Sequence, residues 1–418
     1  MPDDDSSRFL TELQQEFGKP ETMDRLFQTV LPHLEAGKKT LVYILAQVER
    51  IGHAAMEPLF LKTLYAAKYD RIVIVTGKGS GAGYNPFILK CIGPEFVVVE
   101  TDDKILPLLG FLDNAIHDLQ LFDLCLASPQ RLIREYGRYV VSGGDIRFFE
   151  LPASIEKSGN EFLKLVGKPD GAPFILLHVR EPSYLPEKTF HRFRCADVGA
   201  YTAAIQEFVS AGFWVFRIGD SQSTPLEGYS HEVVDIVRHE AYSKELDVFL
   251  AARCAFGFNY ASGPEALLRA FGRTAATVNL HFELLRLPLR SDVLLFKHYA
   301  DMESGKVLTY PEILDRDVPA ITLGNKLAEA GIEIRQNSPD ELRDVARLMI
   351  NWHSGTQERL SVDPEKLERF RALGRTYEVS LKEDAEKRLE NHDFYAYAHD
   401  FGVPAPSVLA REGYLDRP

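Results

Sequence analysis

The sequence predicts a mixed α/β fold of two doubly wound parallel domains in tandem, followed by a charged helical extension. Three observations predict it. Short apolar runs alternate with helix-periodic segments through the first third of the 418 residues, the pattern left by strands joined through crossover helices. The same alternation restarts after the turn-rich Gly167-Lys-Pro-Asp-Gly-Ala-Pro173. Beyond about Asp340 the apolar runs give way to long charged stretches with helical spacing. At this length, with 45% hydrophobic residues, the chain can bury two ordinary cores and is too long for one. The predicted divisions are 1–170, 171–340 and 341–418.

In the first domain Lys39–Ala46 reads as a buried strand, Ala54–Ala66 as a helix and Arg71–Val75 as the next strand. Phe96–Val99 and Arg138–Val141 are further strand candidates, with helices expected at Leu106–Leu119 and Pro129–Glu135. A helix over Ala153–Val166 leads into the boundary turn. The second domain opens with Phe174–His178, an apolar run bounded by turn residues and therefore a buried strand. Helix 200–209, strand Phe213–Arg217, helix Leu246–Ala252, strand Cys254–Asn259 and helix Pro264–Phe271 follow. Two Rossmann-like halves facing one another across a cleft result from this order. Helices at Glu341–Met349 and Glu365–Glu390 make the extension.

Composition narrows the function. A formal net charge of −13 argues against nucleic acid as a partner, because phosphate backbones need a basic face. The four cysteines, Cys91, Cys125, Cys195 and Cys254, are far apart and form no CxxC, as expected of reduced packing residues. The acidic start, Met-Pro-Asp-Asp-Asp-Ser-Ser, carries no apolar signal core, and no stretch approaches the ~20 apolar residues of a membrane span. A soluble cytoplasmic protein is the expectation. The acidic surface excludes a general polybasic anchor and leaves room for a local docking patch at the inner face of a membrane.

Ligands of open parallel sheets sit beyond the carboxyl ends of the strands, so charged residues there are the first site candidates. Phe174-Ile-Leu-Leu-His-Val-Arg-Glu181 places His178, Arg180 and Glu181 at one such end, and Phe213-Trp-Val-Phe-Arg-Ile-Gly-Asp220 places Arg217 at the next. Two arginines on neighbouring strand ends suit a diphosphate, each charge-assisted bond being worth roughly 1.5–3 kcal/mol. The alternatives are a solvated strand end for the first set, and for Arg217 a structural network with Glu181 or Asp220. In Gly257-Phe-Asn-Tyr-Ala-Ser-Gly-Pro-Glu-Ala266 a strand ending at Asn259 meets a helix. Ser262 suits its N-cap, and the amides from Gly263 onward would face an anion. Glu265 either complements the helix dipole or accepts hydrogen bonds from a ribose.

In Gln47-Val-Glu-Arg-Ile-Gly-His-Ala-Ala-Met-Glu57, Gly52 lets the chain turn into a helix and His53 falls near its start. An imidazole there is either a cap or surface group, or a base able to take a proton from a hydroxyl. Glu57, one turn on along the same face, would orient it or replace it. The glycine-rich Thr76-Gly-Lys-Gly-Ser-Gly-Ala-Gly-Tyr84 lacks the GxxxxGK[ST] order of a phosphate loop and is read as a flexible loop.

The order of Ile51-Gly-His53, His178-Val-Arg180, Tyr201 to Ile205, Gly212 to Gly219, Asp247, Phe258 to Gly263 and Asn279 resembles a family of bacterial glycosyltransferases. Members of that family commonly occur with surface-polysaccharide or lipopolysaccharide genes. The likeness continues through Phe296-Lys-His-Tyr299, Leu308 to Ile313 and Asn337 to Glu341, and so spans most of the chain. It implies a GT-B architecture, with a nucleotide-sugar donor in the C-terminal domain and a glycan, lipid-linked or protein acceptor in the N-terminal one. The His-Val-Arg strand end is also similar to that of GT-B fucosyltransferases, which implies a diphosphate contact for Arg180. The chain departs from the family at Glu181-Pro182, where an aspartate is usual, and at Asn259-Tyr-Ala-Ser-Gly263, where a Gly-Thr-Ser-Ser-Gly turn is usual.

The reaction so implied is displacement at an anomeric carbon, with His53, Glu57 and Arg180 catalytic. His178, Glu181, Arg217, Asn259, Ser262, Gly263 and Glu265 would bind the donor. The nucleotide sugar is the substrate, and no separate cofactor is expected. No metal is expected either: the one interior DxD, Asp315-Arg-Asp317, reads as a loop. Two other classes fit the same pattern: a nucleotide-sugar epimerase, and a non-catalytic carbohydrate- or nucleotide-binding protein.

Overall fold

Residues 3–81, 83–183, 189–282, 289–356, 362–383 and 401–417 are described by the structure, a computed structural model. The chain divides into two units, Met1–Pro152 and Ala153–Pro418.

The first unit begins with two helices, α1 (Asp3–Phe17) and α2 (Pro20–Val30), which sequence reading passed over. Its sheet comprises β1 (Thr40–Leu45), β2 (Arg71–Gly77), β3 (Phe96–Thr101), β4 (Ile116–Asp118) and β5 (Asp123–Cys125), in the order β3-β2-β1-β5-β4. All pairings are parallel except β4 on β5. Every residue of β1 is buried, as expected of a central parallel strand covered on both faces. Val42 and Ile44 face a core shared with Leu26 and Val30 of α2. On the unit's helical layer, Phe60 of α3 (Ile51–Tyr65) packs on Tyr136 of α4 (Pro129–Val141), ring centroids 4.6 Å apart.

Two expectations fail in this unit. The helix expected at Leu106–Leu119 is a short 3₁₀ turn over Leu106–Phe111 followed by strand β4; Pro107 and Gly110 suit a tight turn better than a long helix. The strand expected at Arg138–Val141 is the last turn of α4. The Ser128 hydroxyl caps that helix by accepting from Arg131 N–H at 3.2 Å, and burial of Tyr136 and Val140 on one face outweighs the β-propensity of the Tyr-Val-Val run.

In the second unit α5 (Ala153–Leu165) packs on α7 (Lys244–Arg253), with Gly159 against the Phe249 ring. The helix that sequence reading places ahead of the boundary therefore belongs to this unit. The sheet contains β6 (Phe174–His178), β7 (Trp214–Arg217), β8 (Val233–Asp235), β9 (Phe256–Asn259), β10 (Ala275–Leu280), β11 (Val293–Phe296) and β14 (Val403–Pro404). Their order is β14-β11-β10-β9-β6-β7-β8, all parallel. The strands from β6 run outward to β8 on one side and those from β9 to β11 on the other. The topological switch point lies between β6 and β9.

Helix α6 (Thr202–Ser210) covers one face through Ala204, Ile205 and Phe208. On the other side of the β9 strand, α8 (Gly263–Ala270) follows directly. A two-stranded ribbon, β12 (His298–Asp301) with β13 (Ile332–Arg335), flanks α9 (Tyr310–Asp315) and α10 (Gly324–Glu329). The charged extension forms α11 (Pro339–His353), with a Ser338/Glu341 capping box, and α12 (Pro364–Glu383). The expected end of the latter helix, to Glu390, lies outside the described residues. Residues 401–417 add β14 to the sheet and a last turn, α13 (Pro406–Leu409). Among the described residues no helix is long and apolar enough to cross a membrane.

Candidate functional site

Each unit carries a polar constellation at the carboxyl end of its first core strand. In the first unit β1 pairs with β2 on one side and β5 on the other, so the loop leaving β1 sits at that sheet's switch point. The loop delivers Ile51, Gly52 and His53 as the first residues of α3. His53 Nδ1 lies 2.5 Å from Oε1 of Glu57 one helical turn on, and Glu57 is 3% exposed. The other carboxylate oxygen accepts from the hydroxyl of Tyr43 on β1 at 2.5 Å. Burial, with the neighbouring Glu57 charge, pushes the Tyr43 phenol well up, so it stays a donor and its proton fixes the carboxylate. Glu57 then takes the Nδ1–H of His53, which leaves Nε2 of a half-buried ring as the proton acceptor. Sequence reading pairs His53 with Glu57 through their four-residue spacing; Tyr43, from a strand, carries no local signal.

The glycine-rich loop after β2 rests on this turn. A Cβ at Gly83 would lie 2.7 Å from the Glu49 carbonyl, Lys78 pairs with Asp102 at 2.8 Å and Tyr84 donates to Glu100 at 3.3 Å.

In the second unit His178 ends β6 opposite Asn259 of β9, and Ser262 Oγ bridges the switch point to His178 Nδ1 at 3.1 Å. The same hydroxyl lies 3.2 Å from the Tyr260 carbonyl, where its proton is directed, so it accepts Nδ1–H and leaves His178 Nε2 an acceptor. Burial, then the charges of Arg180 and Arg217, push this imidazole down to about 3; it is neutral at physiological pH. Arg180 follows two residues later, half-buried. Ser262 occupies the N-cap position of α8, as expected, yet its side chain makes no capping bond, because His178 and Tyr260 engage it. Gly263 opens the helix.

Four of the predicted donor contacts, Arg217, Glu181, Glu265 and Asn259, are buried. Arg217 is 1% exposed and closes a network instead of lining a rim. Its guanidinium donates to Glu181 at 2.5 Å, to Asp235 at 3.2 Å and to the Thr224 carbonyl. Glu181 also accepts from Thr224 N–H at 3.0 Å, and Arg238 reaches Asp235 at 3.2 Å. Of the two readings open for Arg217, this is the structural one, and it takes Glu181 with it. Glu265 is 1% exposed, bonded to Arg269 at 2.8 Å and to Thr277 Oγ1, while Arg269 Nε donates to Asp292 at 3.0 Å. Burial pushes both carboxyls up and the guanidinium opposes it. Asn259 is fully buried, and its amide folds back into the space left by Gly257, where a Cβ would lie 2.5 Å from Nδ2. Arg217, Glu181 and Glu265 thus commit their side chains to internal bonds, while Asn259 ends β9 beside His178.

Among the described residues no three His, Cys, Asp or Glu side chains gather as metal ligands. Asp317 of the DxD accepts from the Tyr377 hydroxyl and Asp315 from Arg417 at 3.4 Å.

No protein-family profile matches the chain, and no curated protein matches it. Two solved structures are similar to it. One is the glycosyl transferase family 9 protein from Veillonella parvula DSM 2008, at 12% identity and a TM-score of 0.37 over 58% of this chain and 80% of that one. The other is the bacterial iron-containing dodecameric glycosyltransferase TibC from enterotoxigenic E. coli H10407, at 12% identity and a TM-score of 0.32 over 60% of each chain.

Proposed function

We propose that the chain is a glycosyltransferase of GT-B type, moving a sugar from a nucleotide-sugar donor to a hydroxyl of a glycan, lipid-linked or protein acceptor in bacterial surface-carbohydrate synthesis. The observation that supports this most is the buried Tyr43–Glu57–His53 relay, a base with its orienting carboxylate, at the switch point of the first sheet. In the second unit, neutral His178 and half-buried Arg180 at the corresponding place suit a ribose or sugar hydroxyl and a diphosphate.

In the proposed reaction the acceptor oxygen forms a bond to the anomeric carbon while the bond from that carbon to the diphosphate oxygen breaks. His53 Nε2 takes the hydroxyl proton, and Glu57 stabilises the resulting imidazolium. The electron pair leaves with the diphosphate, where Arg180 meets the developing charge; a preorganised group of this kind is worth about 10²–10³ in rate. Arg217 and Glu181 hold the strand end that carries Arg180.

The test is product analysis of wild type and His53→Ala with uridine, guanosine, adenosine and cytidine diphosphate sugars. The reading expects release of one nucleoside diphosphate with the sugar appearing on water or an added acceptor, and loss of that release in the variant. Interconversion of the nucleotide sugar without diphosphate release, or no turnover of any of them, overturns it.

A further inference from the structure

The carboxyl end of β11 carries a buried cation that the proposed reaction does not use. Lys297 directly follows Phe296 and is 4% exposed. Its Nζ donates to the Phe193 carbonyl at 2.8 Å and to the Cys195 carbonyl at 2.6 Å, 104 and 102 residues away in the chain. Among the described residues no carboxylate lies within ion-pair distance of it. A buried ammonium without a counter-charge is costly, and burial accordingly pushes this amine down to about 8. A methionine would fill the same space without that cost. What the lysine adds is its hold on two backbone carbonyls of one segment.

That segment is the return limb of the loop that starts at Arg180. The chain leaves β6 at Arg180 and comes back to it at Ala196, whose N–H donates to the Arg180 carbonyl at 2.9 Å. Lys297 grips the residues immediately before this contact, and Gln336 accepts from Asp197 N–H at 3.0 Å immediately after it. The Phe193 ring sits edge-on to His281, centroids 4.8 Å apart. Gly324 admits the limb from another side: a Cβ there would lie 3.1 Å from the Phe190 carbonyl.

We infer that Lys297 is a positioning residue for Arg180, pinning the limb 193–196 so that the backbone bearing the guanidinium keeps one place when a nucleoside diphosphate binds. The ligand half of this rests on the nucleotide-binding role proposed for Arg180; the backbone half does not. Two readouts separate them.

Lys297→Met and Lys297→Gln, the second retaining one donor in case the first fails to fold, are compared with wild type by hydrogen–deuterium exchange. Loss of the grip should speed exchange at Ala196 about tenfold or more, with exchange in β6 and β9 unchanged. Calorimetry with uridine and guanosine diphosphate should show affinity lowered about tenfold or more, while the ligand-free melting temperature stays within a few degrees of wild type. Unchanged exchange at Ala196 overturns the positioning role whatever the nucleotide does. Faster exchange with unaltered affinity overturns its link to Arg180. Wild type that binds neither diphosphate, with exchange at Ala196 still accelerated in the variants, contradicts the nucleotide role of Arg180 and leaves the pinning of the limb standing.

Discussion

Replacing Glu57 by glutamine changes one atom type at the centre of the proposed base. The carboxylate is 3% exposed and accepts two bonds of 2.5 Å, from Tyr43 and His53. A glutamine has one acceptor and one donor in their place. If the NH₂ faces Tyr43, two donors meet and the phenol must turn away. If it faces His53, the ring must become an acceptor at Nδ1, and its proton moves to Nε2, the atom meant to take the acceptor's proton. Either way both bonds to the carboxylate lose their charge, and in the first case one is lost outright; the loss of a bond to a charged group costs about 1.5–3 kcal/mol of stability. Misdirecting the base should lower kcat by about 10²–10⁴, the usual contribution of a positioned general base. The Km for the donor should barely move, because the donor is assigned to the other unit. The assay is diphosphate release under saturating donor, with urea unfolding and nitrogen NMR of the His53 tautomer on the same samples. Wild-type kcat together with an unchanged tautomer would refute the relay.

Other outcomes follow from the second unit. Arg217→Met leaves Glu181 and Asp235 buried without their shared cation, and should lower stability by about 3–5 kcal/mol, read by urea unfolding; a drop under 1 kcal/mol would contradict the network. His281 is fully buried between the Tyr299 hydroxyl and the Ile321 carbonyl, and burial pushes it down to about 3. Its folded value lies below its unfolded one, so the unfolded chain binds the extra proton between about 6.5 and 3, and stability falls as pH falls through that window. His281→Gln should therefore flatten the decline between pH 6.5 and 5 by up to about 1.4 kcal/mol per pH unit relative to wild type; parallel curves would contradict this.

The strands were legible where burial on both faces left an unbroken apolar run. Phe174–His178 is the clearest case, and β1, β2 and β9 follow the same rule to within two residues. The first two helices were not: among the described side chains of α1 only Leu13 is buried, and Phe9 and Leu10 stand exposed among polar residues. Leu106–Leu119 and Arg138–Val141 misled in opposite ways: an apolar run broken by Pro107 and Gly110 mimicked a helix, and a β-branched helix end mimicked a strand. In the site, His53 with Glu57 and His178 with Arg180 could be read because their spacing is local. Glu181 as a partner of Arg217 could be read too, but Asp235 could not, nor Thr277 and Asp292 around the Glu265–Arg269 pair, because these arrive from other elements and no short spacing announces them.

The central claim is that Arg180 belongs to a nucleoside-diphosphate site. The most direct test is thermal unfolding of wild type and Arg180→Ala against uridine, guanosine, adenosine and cytidine diphosphate. At a hundred times its dissociation constant, the right nucleotide should stabilise wild type by about 2.7 kcal/mol, seen as a clear rise in Tm, and Arg180→Ala should lose that rise while melting normally without ligand. An unshifted Tm with every nucleotide, or a rise that survives in Arg180→Ala, would contradict the account.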